Sequence, residues 1–247
     1  HLSHFDTLVT YNGKTYDQPL LETRYRMART KPPFGSMEHF DLLFGARRLW
    51  KLRFDSCRLV ELENRILGVE RTGGLPGEMI PYVYFEYLRT HEATRIVPIL
   101  HHNAMDIVTL ACLTAIVPWA FRDPEQATFS HGAEMVGLGR WLLAADQPDK
   151  ALGLFRRAID KGLNDELLFR TMWDLARIEK KLGREEAALS VFTELAGCRN
   201  GWRIPALEEL AKYYEHRERN YTMALEFTLS ALDHGDSESL QRRRERL

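Results

Sequence analysis

The sequence predicts two domains of different class: a mixed α/β domain over residues 1–122 and an all-α domain of helical hairpins over residues 130–247. Three observations lead there. Before about residue 120, short runs of strand formers alternate with helical stretches. After about residue 130 the strand signals vanish, and Gly162, Gly183 and Gly197 mark the ends of helices. Within that second region a pattern of small and aromatic residues recurs at a nearly fixed distance.

In the first domain, Thr7-Leu8-Val9-Thr10-Tyr11 is rich in strand formers and is stopped by Asn12-Gly13, which makes a strand and its turn. Asp17 to about Arg29 reads as a helix, with Asp17 near the N-cap, Pro19 in the first turn and Leu20, Leu21, Tyr25 and Met27 along it. A second short strand is expected around Met37 to Leu43, and a helix from Arg58 to Leu67. The segment Arg71 to Gly77 holds too many breakers for anything but a loop, and it does not match a phosphate-binding P-loop. Pro81 to about Thr90, with Tyr82, Tyr84, Phe85 and Leu88, and then Asn103 to Val117 complete a strand-and-helix alternation.

In the second domain, Ala151 with Phe155 and Ala158, Ala188 with Phe192 and Leu195, and Ala224 with Ala231 recur at separations of 37 and 36 residues. Gly139, Ala176 and Ala211 precede these units as the small residues expected where the first helix of a hairpin packs closely on the second, and Trp173 stands just before Ala176. The third turn, Arg217-Glu218-Arg219-Asn220, is expected to carry one extra residue. The period lies near the ~34 residues of a tetratricopeptide repeat, whose second helix shows the same Ala-x3-Phe pattern. A generic helical bundle that uses alanine at close crossings would share these features.

Composition narrows the function classes. With 45% hydrophobic and 28% charged residues in 247, the chain can bury a normal core. Cys57, Cys112 and Cys198 form no CxxC pair, so neither a disulfide framework nor a zinc cage is indicated, and a reducing cytoplasmic location is expected. The most apolar stretch, Ile107 to Phe121, is shorter than the ~20 residues of a bilayer span and meets Pro118, so a buried helix and no membrane segment are expected. The opening His1-Leu2-Ser3-His4-Phe5 lacks both a starting Met and a signal pattern, and reads as a cut. A net charge of −1 exerts no bulk pull on a polyanion, so any nucleic-acid contact must be local. Arg47, Arg48 and Trp50 open a segment in which cations interleave with aromatics, suited to phosphates and stacked bases or to an ordinary solvated helix face.

Two clusters carry possible chemistry. In the first, Asn12, Tyr16 and Asp17 follow the opening strand, where a carboxylate can hold a hard cation or simply cap a helix. Asp41, on a probable strand, reads as structural. In the second, His102 and Asp106 stand four apart and so share one helix face, which lets the aspartate bind a metal while the imidazole takes a proton from water. His101, five before Asp106, is the rival base. Alone, this cluster is also a capped helix start.

Together the clusters resemble the second and third motifs of the DEDD exonuclease superfamily: Asn12, Tyr16 and Asp17 fit N-x3-[FY]-D, and His102 with Asp106 fits the final histidine and aspartate. Within that superfamily the chain is similar to the YprB-type ribonuclease H-like domain over roughly residues 1–120. The likeness extends to His39-Phe40-Asp41-Leu42, Ala46 to Trp50, Cys57 to Glu63, Leu75-Pro76-Gly77 and Ile80 to Phe85. The resemblance implies a 3′→5′ exonuclease acting on single-stranded DNA or RNA, with two Mg²⁺ or Mn²⁺ ions held partly by Asp17 and Asp106, His102 as base, and Asn12, Tyr16, Arg47, Arg48 and Trp50 toward substrate. The family's Asp-x-Glu motif, on the opening strand, would precede residue 1. This makes the ribonuclease H-like domain incomplete and its metal pair dependent on the absent motif. Gly74 stands where the family has an acidic residue. Such domains also occur joined to tetratricopeptide repeats, whose groove holds a protein partner, and a non-catalytic scaffold is the alternative reading.

Overall fold

The computed structural model describes residues 4–71, 75–235 and 237–247, and the chain divides into two compact units, 1–128 and 129–247. Gly74 lies outside the described residues.

In the first unit, β1 (Thr7–Thr10) and β2 (Glu38–Asp41) pair in parallel, with Thr7 opposite Glu38 and Thr10 opposite Asp41. Parallel pairing needs a crossover, and α1 (Asp17–Met27) lies within it. Leu20, Leu21 and Met27 on α1 are exposed. The second strand ends earlier than Leu43 because the buried Asp41 caps α2 (Leu42–Trp50), accepting from the Leu43 backbone N–H at 3.1 Å. Leu42, Leu43, Ala46, Leu49 and Trp50 then bury one face of α2. Helix α3 (Leu59–Leu67) ends on Gly68 at φ 69°, a left-handed cap that glycine adopts without strain.

Two expectations are corrected. Pro81–Thr90 is not a strand but lies in the helix α4 (Ile80–Thr90), with the proline in the first turn and His91 as a left-handed cap. Its aromatic residues favour strands, but Pro81 in the first turn and the cap set a helix. The helix expected at Asn103–Val117 is longer: α5 spans Val97–Arg122 and runs through Pro118. It is also not buried. Only Thr109, Leu113, Val117 and Ala120 are enclosed, where α5 meets α2 and α3, while Ile107, Val108 and Trp119 are exposed. Gly45 in α2 admits Val117, since a Cβ there would stand 2.6 Å from the valine methyl. By length and composition alone the helical stretch Ala93–Arg122 would suffice to cross a membrane.

Every regular element among the described residues of the second unit is a helix. Helices α6 (Gly132–Ala144) and α7 (Pro148–Lys161), α8 (Asp165–Lys181) and α9 (Glu185–Gly197), and α10 (Arg203–His216) and α11 (Tyr221–His234) pack as three successive pairs, and α12 (Glu238–Arg246) follows. The repeated residues form the core: Ala151, Phe155, Ala176, Ala188, Phe192, Ala211, Ala224 and Ala231 are all buried. A Cβ on Gly139 would stand 2.5 Å from the Phe155 ring, so the glycine is what lets that ring in. Trp173 packs on Phe192 and stacks on Trp202 with centroids 5.2 Å apart. The third turn, Arg217–Asn220, is one residue longer than Ala145–Gln147 and Leu182–Arg184. In each turn the residue two places before the second helix, Asp146, Gly183 or Arg219, has positive φ. Buried Glu179 is clasped by Arg156 and Arg184, and buried Glu215 by Arg243 and Arg246 of α12.

Candidate active site

The four-residue spacing on α5 brings His102 and Asp106 together, with Nε2 3.5 Å from Oδ2. Nδ1 of His102 lies 3.1 Å from the Leu75 carbonyl oxygen, to which it can donate, and 3.3 Å from Arg71 Nη1, from which it can accept, so its role follows the tautomer. With either tautomer one ring nitrogen of the neutral imidazole is able to take up a proton, and Nε2 is the one that faces Asp106. His101, exposed, makes no such contact. Both histidines lie inside α5 rather than at its start, because Pro98 begins the helix a turn earlier.

The same carboxylate has a second partner. Arg71 Nη2 donates to Asp106 Oδ1 at 2.6 Å and to Glu63 Oε2 at 2.5 Å, while its Nε donates to Glu63 Oε1 at 2.9 Å. Glu63, fully enclosed on α3, also accepts from the Thr109 hydroxyl at 2.6 Å. The hydrogen bonds from Arg71 hold its carboxyl below the usual glutamate range and outweigh the opposing effect of burial. Sequence reasoning missed Glu63, Arg71 and Thr109. One signal was present: Glu63 sits beside Leu62 on the apolar stripe of α3, where a charge needs a partner.

The first cluster is placed elsewhere. Asp17 is exposed as the first residue of α1, and Tyr16, also exposed, precedes it. Asn12 turns with φ 66°, held by Asp41, whose Oδ1 accepts from the Asn12 N–H at 2.7 Å and whose Oδ2 accepts from the Lys14 N–H at 3.0 Å. Asp41 therefore serves three backbone N–H groups, those of Asn12, Lys14 and Leu43. Among the described residues no three His, Cys, Asp or Glu side chains converge on a point that could hold a metal, and Asp17 does not join Asp106 and His102. The residues present therefore do not by themselves fit a two-ion centre.

Arg47 and Arg48 are exposed on α2, but Trp50, expected to stack on a base, is 4% exposed. The helical period explains this, since Leu49 and Trp50 fall on the inward face that Leu42, Leu43 and Ala46 begin. Arg47 lines an open cavity of about 410 Å³ that also touches Tyr11, Asn12, Lys51, Ser56 and Arg58.

Residues 1–117 match the RNase_H_2 family model, described as RNase_H superfamily. Over 228 residues, 92% of its length, the chain is 34% identical to the uncharacterized protein YprB of Bacillus subtilis strain 168, and it spans about half of that relative, 54%. No solved structure matches it significantly. Over residues 1–117 the chain is thus similar to the ribonuclease H superfamily.

Proposed function

We propose that the complete protein is a metal-dependent 3′→5′ exonuclease that hydrolyses phosphodiester bonds of single-stranded DNA or RNA. One observation carries this reading: His102 and Asp106 face each other on α5 inside a domain similar to the ribonuclease H superfamily. In the reaction, water adds to phosphorus, the bond from phosphorus to the 3′ oxygen breaks, and that oxygen leaves with a proton. The His102 imidazole accepts the proton of the water, a role typically worth about 10²–10⁴-fold in rate. Members of such superfamilies use Mg²⁺ or Mn²⁺; Asp106 is the ligand this chain would contribute beside His102, Asp17 stands apart from it, and the further carboxylates would have to come from outside residues 1–247. Residues 1–247 alone are therefore expected to be inactive.

The test is Asp106→Asn in the complete protein, assayed by release of labelled nucleotides from a single-stranded oligonucleotide with Mg²⁺. Activity should vanish while the circular dichroism spectrum is kept. Undiminished activity rejects the assignment, and turnover by residues 1–247 alone rejects the account of the absent carboxylates.

A second reading is favoured by a cavity of about 290 Å³ in the helical unit, floored by Ala188, Leu189 and Phe192 and rimmed by Lys180, Tyr213 and Arg217. There the tetratricopeptide-like pairs would hold a protein segment and the nuclease-like unit would be a scaffold. Retained partner capture by a protein inactive in every metal tested would favour it.

A further inference from the structure

We propose that the cavity between the Asn12 turn, α2 and the segment Asp55–Leu59 is a phosphate subsite that grips a backbone phosphodiester of the nucleic-acid strand, with Arg47, Lys51 and Arg58 as its cations. The identity of the strand rests on the nuclease reading; the anion site rests on the cavity itself.

The cations are gathered and unpaired. Arg47 and Lys51 stand one turn apart at the end of α2, and Arg58, just before α3, lines the same space. Among the described residues no carboxylate is in ion-pair contact with any of the three, whereas Arg71, Arg156, Arg184 and Arg243 each hold a buried glutamate. Asp55 is the one acid on the cavity wall, so the lining carries a net charge of +2: three cations against one carboxylate. Three like charges around one space repel unless an anion enters, and guanidinium groups match phosphate oxygens two at a time. The volume of about 410 Å³ suits a nucleotide-sized group rather than a lone ion.

The walls are also fixed in advance. Asp41 ties the Asn12 turn to the start of α2. The Tyr11 hydroxyl donates to the Cys57 carbonyl and so ties the end of β1 to the segment that carries Ser56 and Arg58. Burial keeps that phenol protonated by pushing its pKa well above the usual range, so this tie is kept at any physiological pH. A site whose lips are held before the ligand arrives loses little entropy on binding.

The experiment measures binding of a fluorescein-labelled single-stranded oligonucleotide to the complete protein in EDTA, so that turnover plays no part. Arg47→Ala, Lys51→Ala and Arg58→Ala should each weaken binding about 3- to 10-fold, and each should lower the slope of log K against log salt by about 0.7, the value for one phosphate contact on a single strand. Arg244→Ala, an exposed cation of α12, should leave both unchanged. A mononucleotide should compete and inorganic phosphate only weakly; equal competition by phosphate would assign the site to free anion instead of a strand and overturn the proposal. So would a triple variant that binds like wild type with the same salt slope, or a wild type that does not bind. Asp106→Asn separates the two readings: lost turnover with normal binding by the cavity variants sinks only the subsite, and kept turnover with weakened binding sinks only the nuclease assignment.

Discussion

Replacing Arg71 by Met should cost the first unit about 3–5 kcal/mol, the range for removing one partner of an enclosed ion pair. The magnitude follows from what is left behind. The Glu63 side chain is 1% exposed and that of Arg71 12%, so neither is screened like a surface pair worth about 0–1 kcal/mol. Without the guanidinium, Glu63 keeps a single donor, the Thr109 hydroxyl, and Asp106 keeps only His102. Against a typical domain stability of about 5–15 kcal/mol, such a loss brings the unit near unfolding. The pH dependence has a definite sign. The Glu63 carboxyl is held below its ordinary 4.5 in the fold, so its contribution is fully present above that pH and is lost as pH falls through the folded value. The gap between variant and wild type should therefore be full at pH 7 and shrink below about 4.5. Hydrogen exchange of α3 and α5 amides across a urea series reads the unit separately from the helical pairs. A cost under about 1 kcal/mol at pH 7 would refute the reasoning. So would a Glu63→Gln, Arg71→Met double variant no more stable than Arg71→Met alone, because removing both charges should relieve the orphaned one.

Two further outcomes are expected. Gly139→Ala should cost about 1–3 kcal/mol, since the new methyl would overlap the Phe155 ring, and a companion Phe155→Leu should restore part of the loss; an unchanged thermal midpoint would contradict that packing. His39 accepts from the Thr10 hydroxyl at Nε2 and donates from Nδ1 to Gln18, and burial together with Lys14 lowers its pKa from 6.5. The unfolded chain takes up the proton first, so stability should fall as pH drops below about 6.5, and His39→Gln should flatten that slope in denaturation midpoints measured from pH 7.5 to 5.

What could be read from the sequence was what local chemistry decides. Helix α3, both strands and the three helical pairs follow from periodicity, turn residues and the recurrence of Ala151, Ala188 and Ala224, and even the longer third turn is visible as a shift of one residue. Trp50 was misjudged because its run looked like an interleaving of cations and aromatics, whereas the helix sorts the two onto opposite faces. Segment 80–90 was misjudged because aromatic residues favour strands when nothing else is known, and Pro81 in the first turn outweighed them. The histidine and aspartate of α5 were found because their partnership spans one helical turn. Arg71 was not, because its bonds reach Glu63 and Asp106 from a loop, and no local pattern encodes a meeting between distant segments.

Asp41 acts as a joint. A single carboxylate grips amides from two stretches of chain, so the loop after the first strand and the first turn of the arginine-bearing helix behave as one welded corner. Trimming it to alanine would unfasten both sides at once, and damage to the proposed phosphate subsite would then arise from a residue that does not line it. Loss of function at Asp41 would thus report on carpentry rather than chemistry.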